Sequence, residues 1–164
     1  MKKELNPYID GLDKKILLLL SKDARMPYLE VARQCKLSGA AIHQRMRRLK
    51  EIGVISGSQI NINLSSIGYP TCAYIGIQIN LLSSRTHPDV YKKISDIPEI
   101  VECYHITGKY SLFIKVFARS NEHLKEIIVD KVQSIIEVTG TETFICLEEG
   151  FQRQLPFATE EQMM

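Results

Sequence analysis

Apolar residues in the first sixty positions recur at the spacing of α-helices. Ile42, Met46 and Leu49 are separated by four and three residues, which places them on one face of a single helix. Ser38 precedes them and is a favourable N-cap, because its hydroxyl can accept a backbone N–H of the first turn. The pattern therefore predicts a helix from Ser38 to about residue 52.

Two further helices are predicted upstream of this one. The first covers about residues 12–20 and the second begins at Pro27, a residue that suits the first helical position. Residues 35–38 form a short turn into the third helix, and residues 53–57 end that helix and start a strand. The buried side of the first helix is predicted to contain Ile16, Leu19 and Leu20.

The period changes from helical to alternating after residues 61–70, which contain Asn, Ser, Gly and Pro and predict a strand-like connector. Val90, Ile94 and Ile97 are predicted to face inward from the first helix of this part, and Asn121 is predicted to cap the second. The predicted elements, in order, are a strand over 73–81, a helix over 88–96, a hairpin of strands 100–107 and 110–118 around Gly108 and Lys109, a helix after Asn121, and a strand over about 139–147.

This order predicts an α+β protein in which a three-helix helix-turn-helix domain precedes a ferredoxin-like βαββαβ domain. We expect helices on one face of the antiparallel sheet. The other face carries apolar or aromatic residues, so we expect a second copy of the chain to cover it. The predicted boundaries are 1–60 for the helix-turn-helix domain, 61–70 for a linker strand, 71–150 for the ferredoxin-like domain and 151–164 for a C-terminal tail.

The third helix is strongly basic. Residues 31–50 contain six Lys or Arg and no Asp or Glu, and a helix of this kind fits the major groove of DNA. We expect Gln44 and Arg47 to face the bases, and Arg45 and Arg48 to lie nearer the phosphates or the helix flank. The predicted DNA-binding residues are Ser38, Gly39, Ala40, His43, Gln44, Arg45, Arg47, Arg48 and Lys50.

The charge of the chain is divided unequally between its two parts. The formal net charge is only +2, but residues 1–60 hold twelve Lys or Arg against six Asp or Glu, whereas residues 61–164 hold nine against thirteen. Only the first part is therefore expected to meet a polyanion. A basic helix face alone is often only a solvated surface, and the absence of acids and the three-helix spacing favour DNA binding here.

The candidate functions of this chain fall into three classes. A DNA-binding transcriptional regulator is favoured over the alternative, an oligomeric small-molecule-sensing module without specific DNA recognition. An enzyme is not expected, because the sequence has no phosphate-binding glycine loop, nucleophile elbow or metal-spaced His/Cys set. We expect no cofactor and no metal. The four separated cysteines predict buried thiols in a reducing compartment, and no signal peptide or membrane span is predicted, so we expect a cytoplasmic protein.

Over about residues 10–150 the chain resembles the Lrp/AsnC, or feast/famine, transcriptional regulators. The residues that carry this resemblance are Leu12-Asp13, Ile16-Leu17, Arg25, Leu37-Ser38, Arg45, Arg48-Leu49, Gly53-Val54-Ile55-Ser56-Gly57, Pro98-Glu99-Ile100-Val101, Ile106-Thr107-Gly108-Lys109-Tyr110 and Thr143. Each motif alone is weak, but their number and order are specific.

The resemblance implies dimers on double-stranded DNA that often assemble into octamers, with an amino acid as effector. The effector pocket of the family lies between subunits, which implies a site at Gly108, Lys109, Tyr110, Ser111 and Thr143. The family usually has an acid where this chain has Ser111. We therefore expect the ammonium group of an amino acid to lack its carboxylate partner, which leaves another small molecule, or a plain hairpin turn, as alternatives.

Overall fold

The computed structural model describes residues 8–80 and 86–155, and the side chains of residues 86–88 are left out of the description. These residues form two compact units. One contains residues 8–60 together with 152–155, and the other contains the described part of residues 61–151. The predicted C-terminal tail begins at residue 151, which belongs to the second unit, whereas its residues 152–155 belong to the first.

The first unit contains three helices, α1 (Gly11–Lys22), α2 (Tyr28–Cys35) and α3 (Gly39–Glu51). Ser38 caps α3 by accepting the backbone N–H of Ala41 at 3.2 Å, as the sequence predicted. Pro27 is the N-cap of α2 rather than its first helical residue, because its ψ of 137° is still extended.

The core of the first unit is the predicted apolar face of α3 packed on α1 and α2. Ile16, Ile42 and Leu49 are fully buried, and Leu19 and Leu20 pack at the margin of the same cluster. Lys36 adopts a left-handed conformation, with a φ of 55°, and turns the chain from α2 toward α3. The three-helix prediction is therefore confirmed in both its elements and its buried face.

The strand predicted from residue 53 and the linker strand over 61–70 are both wrong. Gly53, with a φ of 75°, ends α3, and the N–H groups of Val54 and Ile55 return to the carbonyl of Leu49. The structure describes no strand between residues 52 and 70, where a single 3₁₀ turn covers Ser65–Ile67. An alternating segment becomes a strand only where a neighbouring segment offers backbone hydrogen bonds, which the pattern alone does not reveal.

The second unit contains four strands and two helices. In chain order these are β1 (Thr71–Ile79), α4 (Thr86–Ser95), β2 (Ile100–His105), β3 (Leu112–Ala118), α5 (Asn121–Glu126, continued by π-helical turns over Ile127–Val132) and β4 (Val138–Ile145). The strands form one antiparallel sheet in the order β2-β3-β1-β4. This topology and the helices confirm the predicted ferredoxin-like fold. Ser120, rather than Asn121, caps α5, since its hydroxyl accepts the N–H of His123.

Both helices of this unit pack on one face of the sheet. Their buried residues, such as Val90 and Leu124, join Ile75, Ile114 and other strand residues in one apolar cluster. The alternation predicted from the sequence sets this arrangement, because neighbouring strand residues point to opposite faces. Residue 81, the last residue of the strand that the sequence predicted, lies outside the described residues.

The opposite face of the sheet, which we call the open face, carries aromatic side chains and one lysine. Tyr74 stacks on Phe113 with ring centroids 6.0 Å apart, and Phe144 lies 6.3 Å from Phe113. Lys115 is buried between the rings of Tyr74 and Phe117, with its Nζ 5.7 and 5.4 Å from their centroids. The open face is thus largely aromatic, as the sequence predicted.

The cysteines differ from expectation. Cys35 alone is buried, Cys103 is exposed, and Cys72 and Cys146 are partly exposed. Strand residues at the edge of a sheet or near its end keep solvent contact that the apolar pattern does not predict. Among the described residues, no helix has the length and apolar character needed to cross a membrane.

Candidate nucleic-acid interface and effector site

The outward face of α3 is opposite its buried face and consists of polar and small residues. Gln44 and Arg47 are exposed, and the Arg47 side chain is 74% accessible. Its Nε lies 3.7 Å from Oε1 of Glu51, a contact between two exposed groups that contributes little to stability. Arg47 is therefore available to a ligand at the surface. Ser38, Ala40, His43 and Lys50 are also exposed, and Gly39 is half-buried.

His43 has a defined position on this face. Its ring meets the ring of Tyr28, at the start of α2, edge to face with centroids 4.8 Å apart. An edge-to-face contact of this kind favours one ring orientation. The contact places the imidazole beside the first turn of α2, where both helices reach the same surface.

Arg45 and Arg48, which the sequence placed nearer the phosphates or the helix flank, are partly exposed and bind carboxylates of the first unit. Arg45 donates from Nη1 to Oδ2 of Asp10 and to Oδ1 of Asp13, both at 2.7 Å. Arg48 donates from Nη1 to Oδ2 of Asp13 at 3.0 Å and from Nη2 to the carbonyl of Tyr8. Both guanidinium groups are thus directed to the segment that begins α1, and their contact with phosphates stays a prediction.

The two carboxylates that bind these arginines were not predicted from the sequence. Asp10 and Asp13 form a capping box at the start of α1, in which each side chain accepts the other residue's backbone N–H. Asp13 is fully buried. Its position three residues before Ile16, on the apolar face of α1, was the signal that could have identified it, since a carboxylate on that face needs a cationic partner.

These contacts alter the pKa of Asp10 and Arg45. Burial by itself raises the pKa of the Asp10 carboxyl, but the backbone N–H of Asp13 and the guanidinium of Arg45 together hold it below its ordinary value. Hydrogen bonds to Asp10 and Asp13 raise the pKa of Arg45. The network is therefore a set of ionised groups that stabilise one another.

The turn between β2 and β3 forms the predicted effector site. Gly108 has a φ of 112°, a conformation that glycine adopts without strain. Ser111 donates its backbone N–H to the carbonyl of Ile77 at 2.9 Å, which attaches the turn to β1. The ring of Tyr110 lies directly over Gly76, where a Cβ atom would be only 2.6 Å from ring carbons.

Glu142 on β4 completes this turn and was not predicted. The register pairs Glu142 with Gly76, so its carboxylate lies on the open face beside Tyr110. Its Oε2 accepts hydrogen bonds from the Tyr110 hydroxyl and from Lys109 Nζ. These bonds lower the pKa of Glu142, and the same carboxylate raises the pKa of Lys109.

Glu142 thus supplies a carboxylate beside the turn, although Ser111 is not an acid. The expectation that an ammonium would lack a carboxylate partner did not take this residue into account. The sequence could not reveal this, because Glu142 and Lys109 are far apart in the chain and only the β1–β4 register brings them together. Thr143, which the sequence grouped with the effector site, faces away from the turn. It pairs with Ile75, so it points to the helical face of the sheet, away from Tyr110 and Glu142.

Comparison with known protein families accounts for both units. The model of the AsnC-type helix-turn-helix domain matches residues 9–50, and the model of the Lrp/AsnC ligand binding domain matches residues 72–156. The chain therefore belongs to the Lrp/AsnC family of transcriptional regulators.

Individual relatives agree with this assignment. The regulatory protein AsnC of Haemophilus influenzae is 37% identical over 147 residues, which cover 90% of this chain and 97% of that protein. The structure of E. coli AsnC matches with a TM-score of 0.83 and 36% identity, over 91% of this chain and 99% of that one. The feast or famine regulatory protein from M. tuberculosis, complexed with L-methionine, matches with a TM-score of 0.82 and 25% identity over the same shares.

The class of function follows from these matches and the fold. The protein is a DNA-binding transcriptional regulator of the Lrp/AsnC type, and its relatives are regulators rather than enzymes. The enzyme alternative is thereby excluded, and the prediction of a regulator is confirmed.

Proposed function

We propose that this regulator reads double-stranded DNA with the outward face of α3 and that an amino acid bound near the β2–β3 turn modulates its activity. The observation that supports the first part is the separation of the basic residues of α3 into two sets. Arg47 and Gln44 are exposed, whereas Arg45 and Arg48 are held by Asp13.

The geometry of α3 suits the major groove. Its thirteen residues span roughly 20 Å at ~1.5 Å per residue, and the groove is ~12 Å wide. In this proposal the small residues Gly39 and Ala40 allow the N-terminal end to approach the bases. Gln44 and Arg47 meet base edges, and His43, Lys50 and the Ser38 segment meet the phosphates.

The test is binding to a duplex that the wild-type protein selects from a pool of random sequences. Gln44→Ala should relax base preference and cost on the order of 1–3 kcal/mol at the selected duplex. Arg47→Ala should weaken binding at least as much. Lys125→Ala, which removes an exposed cation from α5, is the matched control for net charge and should bind as wild type does.

Two results would contradict this assignment. One is a Gln44→Ala, Arg47→Ala double variant that selects and binds the same duplex as tightly as wild type. The other is a wild-type protein that shows no sequence preference at any salt concentration, which would favour the alternative of a sensing module without specific DNA recognition.

The proposed effector is a small molecule that carries both an ammonium and a carboxylate group. Glu142 can accept hydrogen bonds from the ammonium group of the ligand. Lys109 can donate to the carboxylate of the ligand once the ligand has separated Lys109 from Glu142. Tyr110 and Ser111 offer hydroxyl groups beside them. The complex of the M. tuberculosis relative with L-methionine supports an amino acid as the class of ligand.

Calorimetry with each of the twenty common amino acids tests the effector proposal. Glu142→Gln should weaken the best ligand by roughly tenfold or more, because it removes a charge-assisted hydrogen bond. Glu122→Gln, on the exposed surface of α5, is the control. Thr143→Val should leave binding unchanged, since Thr143 points to the other face. Because Glu142 supplies a carboxylate beside the turn, Ser111→Asp should not tighten binding.

We also propose that the open face is the dimer interface and that dimers can assemble into octamers. Three rings, Tyr74, Phe113 and Phe144, form a continuous aromatic cluster there. Phe113→Glu in the full chain should lower the mass measured by light scattering at micromolar concentration. Val129→Glu, on α5, is the control, and an unchanged mass for Phe113→Glu would contradict the proposal.

The same proposal assigns a role to each part of the chain. Residues 1–60 bind DNA, residues 61–70 connect, and residues 71–150 bind the effector and a second copy, with 151–164 as the C-terminal segment. No cofactor is needed for any of these steps. A regulator of this kind acts on chromosomal DNA, and the cytoplasm is the compartment that we propose for it.

A further inference from the structure

The start of α1 and the middle of α3 are joined by a closed network of charges. Asp13 uses both of its oxygens, since Oδ1 accepts from Arg45 at 2.7 Å and Oδ2 accepts from Arg48 at 3.0 Å. Asp10 accepts the N–H of Asp13 at 2.7 Å and a second bond from Arg45 at 2.7 Å. The Asp13 side chain is completely inaccessible to solvent, whereas the Arg45 and Arg48 side chains keep 27% and 42% exposure.

We infer that Asp13 is a positioning residue for DNA reading, which fixes the rotation of α3 about its own axis through Arg45 and Arg48. This inference rests on the proposed function, because it assumes that α3 is the helix that reads DNA. It assigns to these two arginines a role in specificity that does not require them to touch DNA.

The apolar contacts of α3 do not by themselves fix the rotation of the helix about its own axis. Ile42, Met46 and Leu49 attach the helix to the core, but burial of apolar surface is non-directional and tolerates small rotations. Hydrogen bonds between ionised groups have strict distances and angles. Two arginines one helical turn apart, bound to one carboxylate that cannot move, define two fixed points on α3.

The consequence for DNA reading follows from the dimensions of a helix. Side-chain tips lie about 5–6 Å from the helix axis, so a rotation of roughly 20° moves a tip by about 2 Å. A bidentate contact to a base tolerates only a few tenths of an ångström around its 2.7–3.2 Å range. Loss of the network would therefore misdirect Gln44 and Arg47 without removing either of them.

The same geometry separates this role from a phosphate contact. A side chain that neutralises one phosphate contributes about −0.9 to the slope of log K against log salt. Arg45 and Arg48 are already paired with Asp13, so their loss should leave this slope unchanged. A positioning residue thus changes the preference among sequences, and a phosphate-binding residue changes the salt dependence for all sequences.

The experiment measures both quantities for the full-length protein. The probes are a duplex that wild type selects from a random pool and an unrelated duplex of the same length. Asp13→Asn and Arg45→Lys are compared with Lys50→Ala, the control that removes an exposed cation assigned to a phosphate. We expect Asp13→Asn and Arg45→Lys to lower the ratio of the two affinities at least tenfold with an unchanged salt slope. Lys50→Ala should reduce the magnitude of the slope by about 0.9.

Circular dichroism at the assay temperature establishes that each variant is folded. If Asp13→Asn fails to fold, Arg45→Lys decides, because it retains the positive charge but replaces the planar guanidinium, whose Nη1 reaches both carboxylates, by a flexible ammonium. A folded Arg45→Lys protein with the wild-type affinity ratio would overturn the inference. A reduced salt slope for a folded Asp13→Asn protein would overturn it as well, since it would mean that the number of phosphate contacts had changed.

The results that would contradict the proposed function differ from those that would contradict this inference alone. A wild-type protein that prefers no duplex would overturn the DNA-reading role and this inference together. A wild-type protein that prefers its selected duplex, combined with an Asp13→Asn variant that keeps that preference, would overturn the inference alone.

Discussion

A methyl group added at Gly76 should displace the ring of Tyr110 and so disturb the β2–β3 turn. A Cβ atom at this position would lie 2.6 Å from both Cγ and Cδ2 of Tyr110 and 2.8 Å from Cδ1. Such distances are below any that real Cβ atoms show. Because Cγ is the root of the ring, the clash cannot be relieved by moving the end of the side chain, and the whole ring must rotate away from the strand.

The geometry also indicates how much stability Gly76→Ala should cost. Overpacking of a closed site typically costs about 1–3 kcal/mol. Tyr110 is partly exposed and can swing outward, which places the cost toward the lower end of this range. Replacing glycine by alanine in an extended segment also stabilises by about 0.4–1 kcal/mol through the unfolded chain. We therefore expect Gly76→Ala to destabilise the protein by roughly 0.5 kcal/mol.

Gly140→Ala is the matched control on the neighbouring strand. Its Cβ would meet Oε1 of Gln78 at 2.9 Å, but this is the end of a flexible side chain that can move aside. Gly140→Ala should therefore be neutral or slightly stabilising. The two variants should differ by about 1–2 kcal/mol with opposite signs of effect.

Urea unfolding of the full chain measures this difference, since a change of midpoint at constant slope reports stability. Equal midpoints for Gly76→Ala and Gly140→Ala would refute the steric argument. A structure of Gly76→Ala with the Tyr110 ring still above β1 would refute it independently. Because the displaced ring takes its hydroxyl away from Glu142, amino-acid binding should also weaken in Gly76→Ala but not in Gly140→Ala.

Three further predictions concern stability. Ser38→Ala removes the N-cap of α3 and should lower the free energy of unfolding by about 1 kcal/mol, and chemical denaturation would disprove this if no change were found. Ile114→Ala leaves a cavity at a fully buried site and should cost about 2–5 kcal/mol by the same assay, so a cost below 1 kcal/mol would contradict the described core. The third is a loss of stability in acid. The folded pKa of Asp10 lies below its ordinary value of 3.8, so its contribution is complete above pH 3.8 and is lost as pH falls through the lower folded value. Asp10→Asn should remove that part of the acid sensitivity, and an unchanged pH profile of thermal unfolding would count against it.

Local patterns determined the helices of the first unit and the fold of the second. The spacing of Ile42, Met46 and Leu49 predicted both the extent and the buried side of α3, because helical periodicity is encoded within about fifteen consecutive residues. The alternation around Ile114 predicted β3 in the same way. The capping hydroxyl of Ser38 is also local, and it was found where the sequence placed it.

The partners of the charged residues were not determined locally. Arg45 was read as part of a basic surface, but its environment is set by Asp10 and Asp13, more than thirty positions earlier in the chain. Sequence periodicity places a side chain on a face of its own element and says nothing about which residue of another element meets it.

The effector turn shows the same limit. The sequence indicated the turn at Gly108 and a site without a carboxylate, and it grouped Thr143 with Tyr110. Strand register decided otherwise, because a shift of one residue exchanges the two faces of a strand. The pairing of Gly76 with Glu142 brings that carboxylate to Tyr110 and turns Thr143 to the opposite face. The sequence thus determined which elements form, and only the tertiary structure decided which charges meet.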